Sequence, residues 1–529
     1  MRLLAAAAFV ALAAPGVARA ADATLVSRDV SMAAVRSSAA LTAARFDLVG
    51  LHWQGTGTVR FRTRGLSGRW SSWRTAAPEA EDQPNRGSRE AARRSGWRVG
   101  NPYWTGGSHR LQVRRTGDVR RLRAFFVRSP EERVPMRSVA IASSPAIVPR
   151  LSWSANERIT RPPVYADELR FALVHHTAGS NSYTRSQSAA IVRAIQLYHV
   201  RGNGWNDVGY NFLVDKYGQV FEGRAGGVDK NVVGAHAEGF NTSSVGVAVL
   251  GNYSGAGVSA AAQKAVAGVI AWRLDLAHVD PLSTLSWPSG GNARFPRGAP
   301  VFLRAVSGHR DTGFTSCPGS VLYRRIPAIA RAAAATGRPK LYTPVARGAL
   351  GRTVRFTARL TDAVPWTVAL YDPQGVPLAL GSGTGPAIDW RWDARGAGPG
   401  RYSYLFSAGP TVRSAFGTFG GRPPPLRITG LAATPPVISP NADGIDDSTT
   451  ISYALSATAT VTVSLVDAAR LTLATLFSEW RPAGRHSFSF TADSIPDGEY
   501  AIAVTAATSS SRPVSARTPL FVDRGVPLR

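Results

Sequence analysis

The residues best suited to chemistry sit around one thiol. Cys317 is the only cysteine, and it lies in the run Gly308-His309-Arg310-Asp311-Thr312-Gly313-Phe314-Thr315-Ser316-Cys317-Pro318-Gly319. His309 and Cys317 are eight positions apart, with glycines that let the segment fold back. An imidazole and a thiolate brought together in this way suit two chemistries. They can bind zinc, or they can act as base and nucleophile. A third group is needed to choose between them. His175 and His176 close the apolar run Phe171-Ala172-Leu173-Val174, and a strand end is a rigid place from which to present a ligand. Two histidines and one cysteine would leave the fourth tetrahedral position to water, which is the catalytic pattern rather than the structural one. Periodicity alone does not choose between His175 and His176.

These side chains need a scaffold, and the surrounding sequence supplies a mixed α/β one. Phe171 to Val174 reads as a buried strand. Ser186 to Val200 carries Ile191, Ile195 and Tyr198 at helical spacing. Val208 to Val214 and Gln219 to Glu222 flank Asp215-Lys216-Tyr217-Gly218, a hairpin signal. Val245 to Leu250 reads as another buried strand. Ala260 to Ala277 places Val266, Val269, Ile270 and Leu274 on one face of a second helix, and Val321 to Ala335 reads as a third.

Several short motifs occur in order through this region: Val174-His175-His176-Thr177-Ala178-Gly179, Trp205-Asn206-Asp207-Val208-Gly209-Tyr210-Asn211-Phe212, Phe221-Glu222-Gly223-Arg224, Gly234-Ala235-His236, and Ser307-Gly308-His309-Arg310 through Cys317-Pro318-Gly319. Together they resemble the peptidoglycan recognition protein family, the type 2 N-acetylmuramoyl-L-alanine amidases, over about residues 150–336. The resemblance implies Zn²⁺ held by His175, His309 and Cys317, with Tyr210 and Thr315 as catalytic residues. It also implies the scissile bond, the amide between the lactyl group of N-acetylmuramic acid and L-alanine of the stem peptide. His236, Trp205 and Asn241 are candidate groove residues. Glu222 is a candidate proton donor, although a structural carboxylate at a strand end is the better reading. Where some animal members carry Gly-Trp or Asn-Phe after Glu-Gly-Arg, this chain has Ala225-Gly226, which leaves the choice of stem peptide open. His52, His109, His199, His278 and His486 are read as structural.

The rest of the chain frames that domain. At 529 residues, 44% hydrophobic and 18% charged, it is too long for one ordinary domain and too apolar for a disordered chain. Residues 1–20 read as a signal peptide: Arg2, an apolar run from Leu3 to Ala14, and a small-x-small site at Ala18-Arg19-Ala20. No later stretch is apolar for the roughly 20 residues a spanning helix needs. The mature chain is therefore expected to be secreted and associated with the cell wall. Residues 21–130 read as a basic, β-rich domain, in which Val59 to Arg64 alternates strictly. Between Asp22 and Arg150, arginines outnumber acidic residues by 23 to 10. With Trp53, Trp70, Trp73, Trp97 and Trp104, this domain offers a face for anionic cell-wall polymers, although a core with a solvated basic surface is the preferred reading. No nucleic-acid-binding motif is present. Residues 131–149 read as a linker.

Two C-terminal Ig-like β-sandwiches are expected, at 337–421 and 422–529, from an internal repeat. Trp366 to Asp372 resembles Val461 to Asp467. Trp390, Trp392, Gly400 and Tyr402 then recur as Phe488, Phe490, Gly498 and Tyr500. Ser439 to Asp447 resembles the opening of the Ig-like domain of flagellar hook-capping proteins. Its acidic cluster around Asp443 reads as a tight turn in preference to a Ca²⁺ site. The leading expectation is a secreted zinc-dependent amidase acting on peptidoglycan. The alternatives are a non-catalytic peptidoglycan-binding protein of the same fold and a hydrolase using Cys317 as nucleophile.

Overall fold

Alternating strands in the arginine-rich segment pair into a seven-stranded sheet spanning Thr24–Asp29 to Arg121–Arg128. Every pairing in it is antiparallel. The strand Thr58–Gly65 keeps the expected alternation, with Val59 and Phe61 buried and Thr58 and Arg60 exposed. The computed structural model describes residues 23–77, 82–91, 96–131, 138, 144–421, 425–441, 444–468, 471–493, 495–507 and 513–525. The segment expected to be a signal peptide, 1–20, most of the expected linker, Pro423-Pro424 and Ala442-Asp443 lie outside the described residues. Trp53 and Trp104 are core residues. Trp70, Trp73 and Trp97 are half-buried beneath arginines: Arg62 lies 4.8 Å from the Trp70 ring and 4.9 Å from the Trp73 ring.

The middle domain is built on a six-stranded sheet. Its order is Val306–Gly308, Phe171–His176, Ser244–Val249, Phe212–Val214, Val220–Glu222 and Ile147–Val148. The domain therefore begins earlier than expected: Ile147–Val148 is its edge strand, pairing with Val220 and Phe221, and is not linker. Helices Ala260–Leu276 and Ser320–Ala335 cover one face. The first is capped by Ser259, whose hydroxyl accepts the Ala262 N–H at 3.1 Å. The hairpin Thr284–Pro288 with Pro300–Arg304 had no clear sequence signal.

Helix Ser188–Leu197 covers the other face, and all ten of its residues are buried. An amphipathic surface helix would bury one stripe; a helix buried all round has neighbours on both sides. The second neighbour is the N-terminal sheet, whose Leu48, Trp104, Phe125 and Val127 share one core with Ile191, Ile195 and Tyr198. A Cβ at Gly50 would fall 2.0 Å from the Tyr198 ring, so only glycine permits this approach.

The two C-terminal units carry the repeat. In the last, a three-stranded and a five-stranded sheet share one core around Ile451, Val461, Ile502 and Leu520. In the preceding unit, one 19-residue strand, Thr353–Tyr371, takes the place of the pair Ser448–Leu455 and Ala459–Asp467. Its register slips between Arg359 and Val364, where the chain breaks in the second copy. That unit is consequently one continuous five-stranded sheet rather than two separate ones. Tyr402 and Tyr500 each donate to a carbonyl four residues upstream at 2.9 Å, at Gly398 and Pro496. In the acidic turn, the Asp447 carboxylate accepts from the Asn441 and Gly444 N–H groups.

Candidate metal centre

Parallel register brings the histidines together. Val174 pairs with Gly308, so His175 and His309 leave adjacent strands side by side at their carboxyl ends, where open α/β sheets place their sites. Gly308 allows this because a Cβ there would meet Tyr323 and Ile326 within 2.9 Å. Asp311 ties the turn by accepting the Gly308 N–H at 2.8 Å and the Tyr323 hydroxyl at 2.5 Å. The returning loop delivers Cys317. Ligand atoms of His175, His309 and Cys317 all lie within 4.8 Å of one another, with His175 Nδ1 3.7 Å from Cys317 Sγ. The three are 0%, 1% and 5% exposed.

Strand alternation separates the two adjacent histidines. His176 Nδ1 accepts the Tyr253 N–H at 3.1 Å, which occupies it structurally. Burial lowers His175 and His176 to about 4 each. Both imidazoles are therefore neutral at physiological pH, the form that binds metal.

The donor set suits zinc: two imidazole nitrogens and one cysteine sulfur on a buried, rigid frame. His309 Nδ1 is buried and makes no hydrogen bond of good geometry among the described residues, with a carboxylate oxygen 2.9 Å away.

The Tyr210 ring lies 5.4 Å from that of His175 and is buried. Its neighbours explain the Gly-Tyr-Asn-Phe run. A Cβ at Gly209 would meet Ala235 O at 2.8 Å and the Trp205 ring at 2.9 Å. The Asn211 side chain accepts from Gly246 N and donates to Val232 O, both at 2.8 Å. Thr315 is half-buried and its hydroxyl accepts the Cys317 N–H at 3.2 Å. The His236 ring is fully buried 4.9 Å from His175, and neither ring nitrogen has a partner among the described residues. Trp205 packs inward on His199 at 4.4 Å. Asn241 is also buried: its amide oxygen accepts from His236 N at 2.7 Å and Ala237 N at 2.9 Å. Glu222 accepts the Arg150 N–H at 3.1 Å, and its carboxyl is raised by burial, in line with its structural reading.

Sequence reasoning missed one group entirely. Asp82, from the N-terminal domain, is buried with its Oδ1 2.9 Å from His309 Nδ1 and 3.5 Å from His175 Nδ1. It lies more than ninety residues upstream, in a stretch with no periodicity.

Residues 165–320 match the family model described as N-acetylmuramoyl-L-alanine amidase. Residues 10–140 match one described as Rv3811 N-terminal galactose-binding domain-like. Peptidoglycan-recognition protein SC2 of Drosophila simulans is 33% identical over 180 residues, 34% of this chain and 84% of the relative. Human N-acetylmuramoyl-L-alanine amidase is 35% identical over 191 residues, 35% of this chain and 28% of that protein. Among solved structures, bumblebee PGRP-SA aligns at 27% identity with a TM-score of 0.28, covering 35% of this chain and 94% of that one. Through this middle domain, the chain belongs to the peptidoglycan recognition protein and N-acetylmuramoyl-L-alanine amidase family.

Proposed function

We propose that the protein is a secreted, zinc-dependent N-acetylmuramoyl-L-alanine amidase that hydrolyses the lactyl–L-alanine amide of peptidoglycan. The observation that carries this reading is the convergence of His175, His309 and Cys317 within 4.8 Å at the carboxyl ends of the sheet, with the Tyr210 ring beside them. A bound zinc supplies a water of pKa about 7 and polarises a carbonyl. The chain's own residues do the rest. The Tyr210 hydroxyl stabilises negative charge building on the amide oxygen. Thr315 fixes the Cys317 loop through the Cys317 N–H. His236 and Asn241 form the groove floor beside His175, and Trp205 supports that floor through His199.

Among the described residues, no helix is long and apolar enough to cross a membrane. Secretion and wall association rest on the N-terminal export pattern. The basic face of the N-terminal domain is read first as a solvated surface over a core; binding of anionic wall polymers to its arginine–tryptophan stack is the alternative, tested by retention on walls with and without those polymers.

The test of the amidase reading is digestion of purified peptidoglycan by the mature chain, with products read by mass spectrometry. Stem peptides with a free L-alanine amine are expected, lost with chelator and restored by Zn²⁺. Cleavage that survives chelation and stops on thiol alkylation would replace this reading with a cysteine nucleophile. Retention on the wall without any release would leave a binding protein.

A further inference from the structure

The centre described above is closed. Three protein ligands with an open fourth position would be needed for hydrolysis, yet the ligands are almost wholly shielded from solvent. Asp82, which opens a segment of the N-terminal domain running to Glu90, lies against two of them. Its Oδ1 faces the Nδ1 atoms of both His309 and His175. That oxygen and His309 Nδ1 are each buried and make no hydrogen bond among the described residues, although they are 2.9 Å apart. A buried carboxylate needs compensation for its desolvation. A shared cation supplies it. One thiolate and one carboxylate balance the charge of a divalent ion.

The rest of the segment is fastened along the groove. Gln83 O accepts from Asn241 Nδ2 at 2.7 Å. Asn85 Oδ1 accepts from Gly239 N and Asn241 Nδ2, both at 3.0 Å. Arg86 pairs with buried Glu238 at 3.0 Å. Glu90 pairs with buried Arg224, of the Glu-Gly-Arg motif, at 2.7 Å. Asn241, a residue expected to face substrate, thus spends its amide on this segment.

We infer that Asp82 is a fourth, in-trans-domain ligand to the metal held by His175, His309 and Cys317, and that residues 82–90 occupy the groove in place of a substrate chain. The protein is then latent as folded: a wall strand must displace the segment and free the fourth position before hydrolysis. The inference rests on the metal-binding reading of the three-ligand site.

The test uses the full chain, with Asp82→Ala and the near-isosteric Asp82→Asn. Zinc affinity is measured by competition with a chromophoric chelator, and the Co²⁺-loaded proteins are compared by visible absorption. Peptidoglycan hydrolysis is followed in parallel. The expected result is zinc binding weakened roughly tenfold or more in both variants and a changed Co²⁺ spectrum. Hydrolysis should be faster, by about tenfold if the closed form outnumbers the open one ten to one. Circular dichroism checks that each variant is folded, and Arg86→Ala, remote from the ligands, should speed hydrolysis and shift the Co²⁺ spectrum towards that of the Asp82 variants. Unaltered zinc affinity and spectrum in both Asp82 variants would overturn the inference while leaving the amidase reading intact. Slower hydrolysis with metal still bound would also overturn it, and would place Asp82 among the catalytic groups. If the wild-type chain binds no zinc, both readings fail together.

Discussion

At the residue scale, metal binding and oxyanion stabilisation are separable by mutation. His309→Ala removes one of the three ligands proposed from the middle domain, at a position with no substitute in the same register. Zinc content, read by elemental analysis, is expected to fall from one per chain to near zero, with hydrolysis lost. Tyr210→Phe keeps the ring against His175 and removes only the hydroxyl. It should retain zinc and lower kcat by about 10²–10³-fold, the usual cost of one oxyanion donor. An equal loss of zinc in both variants would show that Tyr210 serves the metal site rather than the reacting carbonyl. His176→Asn tests the division of labour within the His-His pair. Because His176 accepts from Tyr253 N, the variant is expected to lose stability before it loses zinc.

At the element scale, helix Ser188–Leu197 and the turn after it join two domains. Tyr198 donates its single proton to Gly100 O at 2.6 Å, so the 3.0 Å contact with His52 must be donated by His52 Nε2. Burial lowers His52 to about 4 from 6.5, partly offset by its hydrogen bond to Asn203. The folded state therefore resists protonation that the unfolded chain accepts. Stability is fully present above about pH 6.5 and is lost as pH falls from there to about 4, on the order of 3 kcal/mol for this one group. Thermal melts across that window should show the decline, and His52→Gln should flatten it. A decline of unchanged slope in the variant would assign it to other buried histidines, such as His199. Gly50→Val introduces atoms where the Tyr198 ring already lies, so it should lower the melting temperature by several degrees. A neutral outcome would mean the two domains are not pressed together at this point.

At the scale of the whole molecule, the N-terminal and middle domains share a core, so they are expected to unfold in one transition. A chain beginning at residue 144 would expose the apolar face of helix Ser188–Leu197 and should be recovered only as aggregate. The C-terminal units are attached differently. The first is pinned by polar contacts, Arg413 to Asp275 at 3.0 Å and Lys340 to Ala271 O at 3.2 Å. The last touches it through Trp480 against Tyr371 and Phe416, and through Ser403 with Thr458 at 2.7 Å. None of these contacts reaches the candidate metal centre. A chain ending at Gly421 should therefore hydrolyse soluble wall fragments at the full-length rate. On insoluble walls it should be slower, if the last unit tethers the enzyme and raises its effective concentration. Equal loss on both substrates would indicate a folding role instead.

By itself the sequence determined the local elements of the middle domain, because each follows from short-range periodicity and turn chemistry. The strand at Phe171, the hairpin around Asp215 and the helices at Ala260 and Ser320 form close to where the pattern placed them. It also determined the metal-ligand candidates, because His309 and Cys317 share one loop and His175 ends a buried strand. The choice between His175 and His176 came from resemblance, since adjacent strand residues are equivalent until the register is known. Pairing of Val174 with Gly308 supplies the reason for that choice. Only the tertiary structure decided that helix Ser188–Leu197 is buried on both sides, and that Asp82 reaches the centre. Both depend on how two separate domains dock. Docking joins residues about a hundred positions apart, beyond any periodicity that a single sequence carries.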